Sequence, residues 1–469
     1  MLKRLSHERQ TDTSAFEVKA GSAAFPHPFA KGLEYNAPVH GTWNIVHIGM
    51  QVPGAHQIYV CSDNCMRGVV MTADEMGLAD RFSCVSVTEK DLLSDNMESI
   101  TIEGVSDVIR RLPYRPPVVM VFTVCLHLFV GSDLDYIYRE LNRRFPDIFF
   151  CRCFMDPITQ KTSLTPEQKL RKAMFDPLKK QDLSPEGRKT VNILGSDVLH
   201  TCETSDLYLM LQNAGFTVRQ LQDCRSFEDY SALSDAALNI CCYPSGLHGI
   251  SELSERLGIP WLYLASSFSY SEIKTSEETL AAWIRADLSV TGSTASFPDK
   301  ARCDEALESL SRKLQNIPVC LDYTAHPRPL SLTRLLLTHG IDVQRVYLDD
   351  ISAEEEQDLA FLSEHFPELT FCATVRPEMR IQQKIPSEGS PDKILAIGQK
   401  AAFFENTPYF VNMVEGGGLW GYAGILALCR QIESALRDPK EIRDTVVRKG
   451  LGCDSLCVVP VWQNKPKKA

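Results

Sequence analysis

The chain has 469 residues, of which 44% are hydrophobic and 23% are charged, and its net charge is -11. This length exceeds what a single compact core usually serves, so we expect several domains, and the composition excludes wholesale disorder. The negative charge argues against nucleic-acid and membrane-surface partners, because both require a positive field. The sequence has no apolar run of about 18 residues, and the N-terminal MLKRLSHERQTDTSAFE turns polar where a signal peptide becomes apolar. We therefore expect a cytoplasmic protein whose partners are proteins or small molecules.

Short β-branched runs recur along the chain, and each is followed by an amphipathic helical pattern. The run PVVMVFTVC (117–125) predicts a buried strand, and SDLDYIYRELNRRF (132–145) predicts a helix that a Ser or Asp caps. Four later pairs repeat this order: TVNILG with SDLYLMLQNAGF, ALNICCY with GISELSERLG, IPVCLDY with PLSLTRLLLTHG, and DVQRVYL with ISAEEEQDLAFLSEHF. Strands that alternate with helices indicate βαβ units, so the predicted fold class is α/β with several parallel sheets.

Changes in composition between these units predict the domain boundaries. We expect a first α/β domain over residues 1–160, a basic helical connector over 161–189, a second α/β domain over 190–300, a third over 301–400, and C-terminal helices over 401–469 that pack back on the core. A connector rich in Lys and Arg is typical of a solvated linker or of a docking surface for an acidic partner. The sequence has no P-loop and no GxGxxG between a strand and a helix, so we do not expect this chain itself to bind ATP.

Sixteen cysteines in a cytoplasmic protein should remain unpaired, because reducing compartments keep thiols free. Metal ligation and core filling are then the alternatives. Those in apolar or amphipathic segments are expected to be small buried hydrophobes: Cys84, Cys202, Cys224, Cys303, Cys320, Cys372 and Cys429. Cys61 and Cys65, in YVCSDNCMRG (59–68), could be metal ligands, redox thiols or filler. Cys125 closes a predicted strand, which is where ligands collect in open α/β sheets.

The segment around Cys125, VFTVCLHLFVGSD, resembles the strand, cysteine and glycine–aspartate turn of the nitrogenase component 1 family. Further segments are similar to that family in the same order. The segment HIGMQVPGAHQIYVC is similar to its histidine, proline and glycine–cysteine region, and FSCVSVTEKDLLSDN is similar to the segment before its second βα unit. The segment ALNICCYPSGLHGISELSERLGIPWLYL is similar to the stretch with its cofactor cysteine, DYTAHPRPLSLTRLLLTHGIDV is similar to its Arg-Pro loop and the next helix, and GLWGYAGILALCRQIESALRDP is similar to its closing glycine–aromatic helix. The resemblance spans roughly residues 35 to 440. It implies three Rossmann-like parallel-sheet domains that surround a central cleft.

The resemblance also implies an iron-sulfur cluster, most simply a 4Fe-4S cluster, with Cys125 as a ligand. Gly54 and Ala55 stand where the family has its glycine–cysteine ligand. We therefore expect Cys61 and Cys65, four residues apart on one face of a helical turn, to take two corners of the cubane and Cys125 a third. Four alternatives remain open for the last corner: Asp63, Cys84, a residue of a partner subunit, or a substrate.

Cys242 corresponds, in this resemblance, to the cysteine that binds an iron of the nitrogenase active-site cofactor. At the position of the second cofactor ligand, a histidine in nitrogenase, this chain has Trp420, and an indole has no free lone pair for a metal. Dinitrogen reduction is therefore not expected. Cys242 either binds a second, smaller metallocentre or is a buried strand-end cysteine like Cys241. Cys453 and Cys457 are a further candidate ligand pair.

Three side chains are candidates for catalysis. His127 lies two residues after Cys125 and, as a histidine, is of the type that titrates near neutral pH, so it could donate protons to a substrate. His326 and Arg328 lie in the loop TAHPRP, where a guanidinium could hold an anionic group through paired hydrogen bonds. Ordinary packing is the alternative for all three.

These observations and the resemblance together predict a component 1-like subunit of a nitrogenase-like, ATP-dependent two-component reductase. Electrons would come from a separate iron-sulfur ATPase that docks near Cys61, Cys65 and Cys125, and the subunit would pair with a second component 1-like subunit or with itself. The first alternative is a scaffold or carrier for metallocofactor assembly. The second is an α/β ligand-binding protein without a metal. The substrate is not predicted, because a fold does not fix a reaction.

Overall fold

The computed structural model describes residues 16–32, 45–94, 96–156, 164–196, 199–286, 299–376, 379 and 393–442. The strands are β1 (Glu17–Lys19), β2 (His56–Cys61), β3 (Phe82–Ser86), β4 (Val118–Val124), β5 (Phe149–Met155), β6 (Thr190–Leu194), β7 (Thr217–Gln220), β8 (Leu238–Cys241), β9 (Trp261–Tyr263), β10 (Val319–Asp322), β11 (Val343–Tyr347), β12 (Thr370–Cys372), β13 (Leu395–Ile397) and β14 (Phe410–Val411). The helices are α1 (Ile45–Met50), α2 (Asp63–Glu75), α3 (Glu89–Leu93), α4 (Met97–Arg111), α5 (Cys125–Phe129), α6 (Leu134–Arg144), α7 (Pro166–Ala173), α8 (Asp206–Asn213), α9 (Phe227–Ser231), α10 (Leu247–Leu257), α11 (Tyr270–Ala286), α12 (Lys300–Lys313), α13 (Pro329–Thr338), α14 (Glu356–His365), α15 (Gln399–Glu405) and α16 (Gly421–Arg437). The candidate pair Cys453 and Cys457 lies outside the described residues.

The chain divides into two compact units. The first unit comprises Met1–Tyr35, Leu199–Gly215 and Ala265–Ala469, and the second comprises Asn36–Val198 and Phe216–Leu264. Both units are built on parallel sheets with helices packed against them. The α/β class with three parallel sheets, predicted from the sequence, is confirmed. Within the described ranges, no helix is both long enough and apolar enough to cross a membrane.

The second unit contains two four-stranded parallel sheets, in the orders β3-β2-β4-β5 and β7-β6-β8-β9. In each sheet the second strand in chain order lies on one side of the first strand, and the third and fourth strands lie on its other side. A topological switch point therefore lies between β2 and β4, and another lies between β6 and β8. Open α/β sheets bind ligands at the carboxyl ends of their strands at such points.

The register between β2 and β4 fixes the first of these switch points. Tyr59 lies opposite Phe122, and the two rings stack with their centroids 4.2 Å apart. β4 is buried along its whole length, which suits a central parallel strand that is covered on both faces. The carboxyl ends of β2 and β4 consequently meet at one edge of the sheet.

The first unit contains one six-stranded sheet, in the order β1-β12-β11-β10-β13-β14. β1 runs antiparallel to β12, and the other neighbours are parallel. A switch point lies between β10 and β13. The apolar core of this unit includes side chains of α12, α13 and α16.

The strand and helix pairs predicted from the sequence are confirmed, and most of the observed elements are shorter at their ends, whereas α10 begins two residues before the predicted segment. The run 117–125 forms β4, and 132–145 forms α6. Asp133 caps α6, because its side chain accepts a hydrogen bond from the Tyr136 amide at 2.8 Å. The four later pairs are β6 with α8, β8 with α10, β10 with α13, and β11 with α14.

The cysteines predicted to fill the core follow that prediction only in part. Those that are buried with free thiols, as expected, are Cys303, Cys320, Cys372 and Cys429. Cys84 and Cys224 are only half-buried. Cys202 is disulfide-bonded, so the expectation of unpaired cysteines is wrong for this residue. An argument from the cellular compartment ignores which cysteines the fold brings together.

The basic segment after β5 forms α7, which packs inside the second unit. Thr165 and Gln168 form a capping box, in which each side chain accepts a hydrogen bond from the other's amide, and Pro166 suits the first helical position. Leu170 and Ala173 are buried, and the helix packs on β5 and α10. This helix is therefore packed rather than solvated.

Arg171 fixes α7 through a buried ion pair. Its Nε and Nη2 donate to Glu167 Oε1 at 3.0 and 2.9 Å, and its Nη1 donates to the carbonyl oxygen of Gly195 at 3.2 Å. The side chains of Arg171 and Glu167 are only 4% and 9% exposed. Gly195 follows β6 directly, so the guanidinium ties α7 to the carboxyl edge of the sheet.

Replacing Arg171 with methionine should lower the free energy of unfolding by about 3–5 kcal/mol, because the Glu167 carboxylate would stay buried without its partner. Replacing the adjacent Lys172 with alanine should lower it by less than about 1 kcal/mol, because the ion pair of Lys172 with Glu252 is largely exposed. Urea unfolding followed by circular dichroism measures both changes. Equal losses in the two variants would contradict the importance of the buried pair.

Candidate metal centre at the edge of a parallel sheet

Cys61, Cys65 and Cys125 lie at the carboxyl edge of the sheet β3-β2-β4-β5. Cys61 is the last residue of β2, and Cys65 lies in the first turn of α2. Cys125 is the first residue of α5, directly after β4. Because β2 and β4 flank the switch point, the fold brings the strand ends that carry these thiols to one place.

The relation between Cys61 and Cys65 differs from the expectation. They do not share one face of a helical turn, because Cys61 ends a strand and only Cys65 belongs to a helix. In the connecting turn, the Cys65 amide donates to the Ser62 carbonyl oxygen at 2.9 Å, and the Ser62 hydroxyl donates to Cys65 Sγ at 3.5 Å. The strand-to-helix turn, rather than helical periodicity, brings the two thiols near each other.

The thiols at this edge are electrostatic neighbours. Burial raises the pKa of Cys61 far above its usual value, and Cys84, Cys65 and Asp63 raise it further. Burial also raises the pKa of Cys125, and Cys65 adds to that rise. Cys65 is therefore close to both of the other thiols. The raised pKa values favour protonated thiols at Cys61 and Cys125 in the metal-free protein, whereas a bound metal favours thiolates.

Two of the candidates for a fourth ligand adjoin Cys61. Asp63 Oδ1 accepts a hydrogen bond from the Ser86 hydroxyl at 2.5 Å, and Ser86 lies opposite Cys61 in the sheet. Cys84 is half-buried on β3, where burial raises its pKa to about 11 and Asp63 adds to the rise. Asp63 and Cys84 thus come from the turn and the strand next to Cys61.

Within the described residues, no three His, Cys, Asp or Glu side chains are arranged so that they could hold one ion. In a cubane each cysteine ligates its own iron, so the sulfur atoms need not converge on one point. Cys61, Cys65 and Cys125 supply the ligand type that such clusters require, at neighbouring strand ends.

Cys242 follows β8 at the second switch point of the same unit. It is buried, and burial raises its pKa far above its usual value. The neighbouring Cys241 thiol is packed between two glycines, since Cβ atoms at Gly195 and Gly246 would lie 2.9 and 3.0 Å from Cys241 Sγ. Both alternatives for Cys242, a buried strand-end cysteine and a ligand of a second metallocentre, stay predictions.

His127 is buried beside Cys125, and both of its ring nitrogens have partners inside the protein. Nδ1 accepts from the Val124 amide at 3.3 Å, so the ring proton lies on Nε2, which is 3.2 Å from the Thr101 hydroxyl oxygen. That hydroxyl donates in turn to the Met97 carbonyl oxygen at 2.8 Å. Burial lowers the pKa of His127 to about 4. The neutral ring is suited to holding the start of α5, and donation to a substrate would require breaking these bonds.

His326 is held in the same manner in the first unit. Its Nδ1 accepts from the Arg328 amide at 3.0 Å, and its Nε2 lies 3.1 Å from the Ser266 hydroxyl oxygen. The Ser266 hydroxyl donates to the Leu419 carbonyl oxygen at 3.1 Å, so Nε2 is the donor in its bond to Ser266. Burial lowers the pKa of His326 to about 3, and the charge of Arg328 contributes. The ring therefore joins three backbone segments as a neutral group.

Arg328 binds a carboxylate of its own chain. Its Nη1 and Nη2 donate to the two oxygens of Glu272 at 2.6 and 2.9 Å, and Nη2 also donates to the Glu354 carbonyl oxygen at 3.2 Å. The Arg328 side chain is 2% exposed. The bidentate geometry predicted for an external anion is thus used by Glu272.

Comparisons with known proteins agree with this fold. Residues 46–437 match the family model described as "Nitrogenase component 1 type Oxidoreductase". The chain belongs to this family. Solved structures that resemble it include "Nitrogenase Cp1 at pH 6.5" (TM-score 0.59, 12% identity, 90% of this chain and 95% of that chain) and "Nitrogenase Cp1 at pH 5" (TM-score 0.53, 12% identity, 90% and 94%). At this identity the likeness shows the fold alone. No curated protein matches the chain.

One correspondence with the nitrogenase component 1 family requires correction. Gly54 and Ala55 precede β2 and so lie at its amino end, whereas Cys61 and Cys125 lie at the carboxyl edge. The six residues of β2 separate the two edges by roughly 20 Å, at about 3.3 Å per residue. A side chain at Ala55 cannot share a cluster with Cys125, so the match of Gly54 and Ala55 with the glycine–cysteine ligand is wrong. Cys65, in the turn after β2, lies at the required edge.

Arg81 and Asp156 are residues that the sequence did not indicate. Arg81 holds the loop before β2, because its guanidinium donates to the carbonyl oxygens of Ala55 (2.9 Å), Met50 (3.2 Å) and Val52 (2.6 Å). Backbone acceptors about 30 positions away leave no sequence pattern.

Asp156 directly follows β5 and contributes to the raised pKa of Cys125. The rule that functional groups follow parallel strands could have found it.

Trp420 is buried and directly precedes α16. An indole can donate a hydrogen bond but cannot ligate a metal. This family member therefore has no metal ligand at the position where the resemblance places the nitrogenase histidine.

In the metal-free protein, we expect iodoacetamide to alkylate Cys65 and Cys125 before Cys61, because the first two are half-exposed and Cys61 is buried with a raised pKa. Reconstitution with iron and sulfide should protect Cys65 and Cys125. Peptide mass spectrometry measures the labelling, and half-buried Cys224 serves as the control whose labelling should not change. Unchanged labelling of Cys65 and Cys125 after reconstitution would contradict their assignment as ligands.

Proposed function

We propose that this chain is a component 1-like subunit of a nitrogenase-like, ATP-dependent two-component reductase. It would take electrons from a separate iron-sulfur ATPase and reduce a substrate through an iron-sulfur cluster. The single observation that carries this proposal is the position of Cys61, Cys65 and Cys125 at the carboxyl ends of β2 and β4, the strands that flank one switch point. Membership of the nitrogenase component 1 type oxidoreductases supports it.

In this proposal, Cys61, Cys65 and Cys125 hold a cluster of the 4Fe-4S type. The bound cluster would supply one-electron transfer. Burial of β2 and β4 fixes where the thiols stand, and His127 holds the start of α5 next to Cys125 through its bond from the Val124 amide. The chain would thus orient the cluster at a strand edge from which a protein partner can be reached.

An exposed apolar surface next to Cys125 supports the docking of a protein partner. Phe129 is 71% exposed, Leu128 49% and Val130 37%, and all three directly follow Cys125 along the chain. Large apolar side chains that are exposed together mark interaction sites more often than chance exposure does. We propose that the ATPase or a second component 1-like subunit, including a second copy of this chain, covers them.

Replacing Cys125 with alanine should abolish most visible iron-sulfur absorption of anaerobically purified protein, because one of the three proposed thiolate ligands is removed. Replacing Cys372, a buried cysteine at the end of β12 in the first unit, should leave the absorption intact. Optical spectra together with iron and sulfide analysis measure the effect. Loss in the Cys372 variant with retention in the Cys125 variant would overturn the site assignment.

The second candidate function is a scaffold or carrier that assembles or passes on a metallocofactor. The observation that favours it is that the predicted catalytic side chains, His127, His326 and Arg328, all have partners within the protein. A carrier needs ligands that hold and release a cofactor, and it does not need a proton donor aimed at a substrate.

Incubation with an iron-sulfur ATPase of the family and ATP distinguishes these two functions. Catalytic, ATP-dependent consumption of reductant and substrate is the result expected for the reductase, whereas stoichiometric release of a metallocofactor is the result expected for the carrier. The Cys125→Ala variant is the negative control for both. Iron-free protein from an iron-replete, anaerobic culture would instead favour an α/β ligand-binding protein without a metal.

A further inference from the structure

Two carboxyl groups of the first unit lie on helices that pack against each other, α8 and α11, outside the candidate metal centre. Asp206 begins α8 and is fully buried, and Glu277 is partly buried on α11. One oxygen of each group, Asp206 Oδ1 and Glu277 Oε1, is buried and has no hydrogen-bond partner. Buried polar atoms of this kind are rare in proteins and call for a functional explanation.

Asp206 caps the last long helix of the unit. Its Oδ2 accepts from the Ala423 amide at 3.0 Å and also from the Tyr422 amide, in the first turn of α16. Gly421 has φ +73°, and a Cβ atom there would lie 2.3 Å from Asp206 Oδ2, so the carboxylate occupies space that only glycine leaves. Charge-assisted bonds at the positive end of a helix dipole stabilise the ionised form of Asp206.

Most of the charged groups that face this pair are acidic. On α11, Glu278 acts on Glu277 and itself pairs with Lys274, whose Nζ lies 3.8 Å from Glu278 Oε1. On α12 and at its start, Cys303 and Asp299 act on Tyr422 of α16 together with Asp206 and Glu277. The charges that these helices bring together therefore repel each other when both carboxyl groups are ionised.

Burial raises the pKa of both carboxyl groups into the physiological range. The pKa of Asp206 rises to about 6 because of burial, against the effect of the two amide bonds. The pKa of Glu277 rises to about 7 because of burial and then because of the charges of Asp206 and Glu278. The two amides thus favour the charge on Asp206, and the proton is held more tightly by Glu277.

We propose that Asp206 and Glu277 form a proton-binding pair that controls the N-terminus of α16. With one proton on Glu277, Asp206 stays ionised and caps the helix. Without this proton the two carboxylates repel each other and loosen the start of α16 together with the glycine-rich segment 416–421 that precedes it. The proton is exchanged with water, and no other bond changes. This inference does not depend on the proposed reductase function.

The pH dependence of stability has a definite sign. Folding raises the pKa of Glu277 from 4.5 to about 7, so the folded state binds the proton more tightly than the unfolded state. The stability that this proton contributes is fully present below about pH 4.5 and is lost as the pH rises to about 7. The corresponding loss for Asp206 runs from about pH 3.8 to about pH 6.

The test compares Glu277→Gln with Glu278→Gln in the full-length chain. Glutamine mimics the protonated glutamate. Glu278 is the adjacent, exposed control, and its charge is only the last of the three causes that raise the pKa of Glu277, so its replacement should have a much smaller effect. At pH 8, the amides of Tyr422 and Ala423 should exchange at least about tenfold more slowly in Glu277→Gln than in the wild type and in Glu278→Gln. This size is expected because one pKa unit corresponds to a factor of ten. Hydrogen exchange with mass spectrometry measures this at equal pH, which cancels the intrinsic exchange rate.

A second readout is the infrared band of a protonated carboxyl group. At pH 6.5 it should be present in the wild type and in Glu278→Gln, and it should be weaker in Glu277→Gln. Equal exchange at Tyr422 and Ala423 in all three proteins, or an unchanged carboxyl band in Glu277→Gln, would overturn the proposal. Asp206→Asn removes the charged cap, so it should speed this exchange above about pH 6, where Asp206 is ionised, if the variant folds. Glu277→Gln decides the question if it does not.

Discussion

The parallel pairing of β2 with β4 is the interaction on which the candidate metal centre depends. The two strands are neighbours, they point the same way, and both are buried, so their carboxyl ends meet at one edge. Both faces of β2 are buried, so specific contacts accompany its register against β4, such as the stacking of Tyr59 on Phe122 with ring centroids 4.2 Å apart. The positions of Cys61 and Cys125 at this edge therefore result from core packing and not from any attraction between the thiols, whose raised pKa values disfavour the charged forms.

Parallel-sheet architecture was predictable from the sequence because buried parallel strands are continuous apolar runs, as β4 is. The end of β2 was not predictable, because the strand and α2 are separated only by Ser62 and no glycine or proline marks the turn. The spacing of Cys61 and Cys65 consequently indicated that both lie on one face of a helix, whereas in the structure Cys61 ends a strand and Cys65 lies at the start of a helix. The same uncertainty about the edges of β2 produced the incorrect match at Ala55.

Burial explains why the charge states of the predicted catalytic residues could not be inferred from residue type. The hydroxyl partners of His127 and His326 lie 26 and 60 positions away in the chain, and Glu272 lies 56 positions from Arg328. A histidine in water titrates near neutral pH, but both of these rings are dry and keep a single proton, with pKa values lowered to about 4 and 3. Residue type gives the available chemistry, and the fold decides whether a group is free to use it.

The buried charged groups fall into two kinds, which differ in what they can do. Arg171 and Glu167 neutralise each other and saturate their hydrogen bonds with a carbonyl oxygen, so they fix α7 and have no reason to exchange protons near neutral pH. Asp206 and Glu277 have the same sign, and each keeps one oxygen without a partner, so they can relieve their repulsion only by binding a cation. The thiols at the β2–β4 edge resemble the second kind, because removing their protons leaves adjacent negative charges that iron would neutralise. The neutralised pair therefore belongs to the frame of the fold, whereas the like-charged groups are the ones whose repulsion a bound cation would relieve.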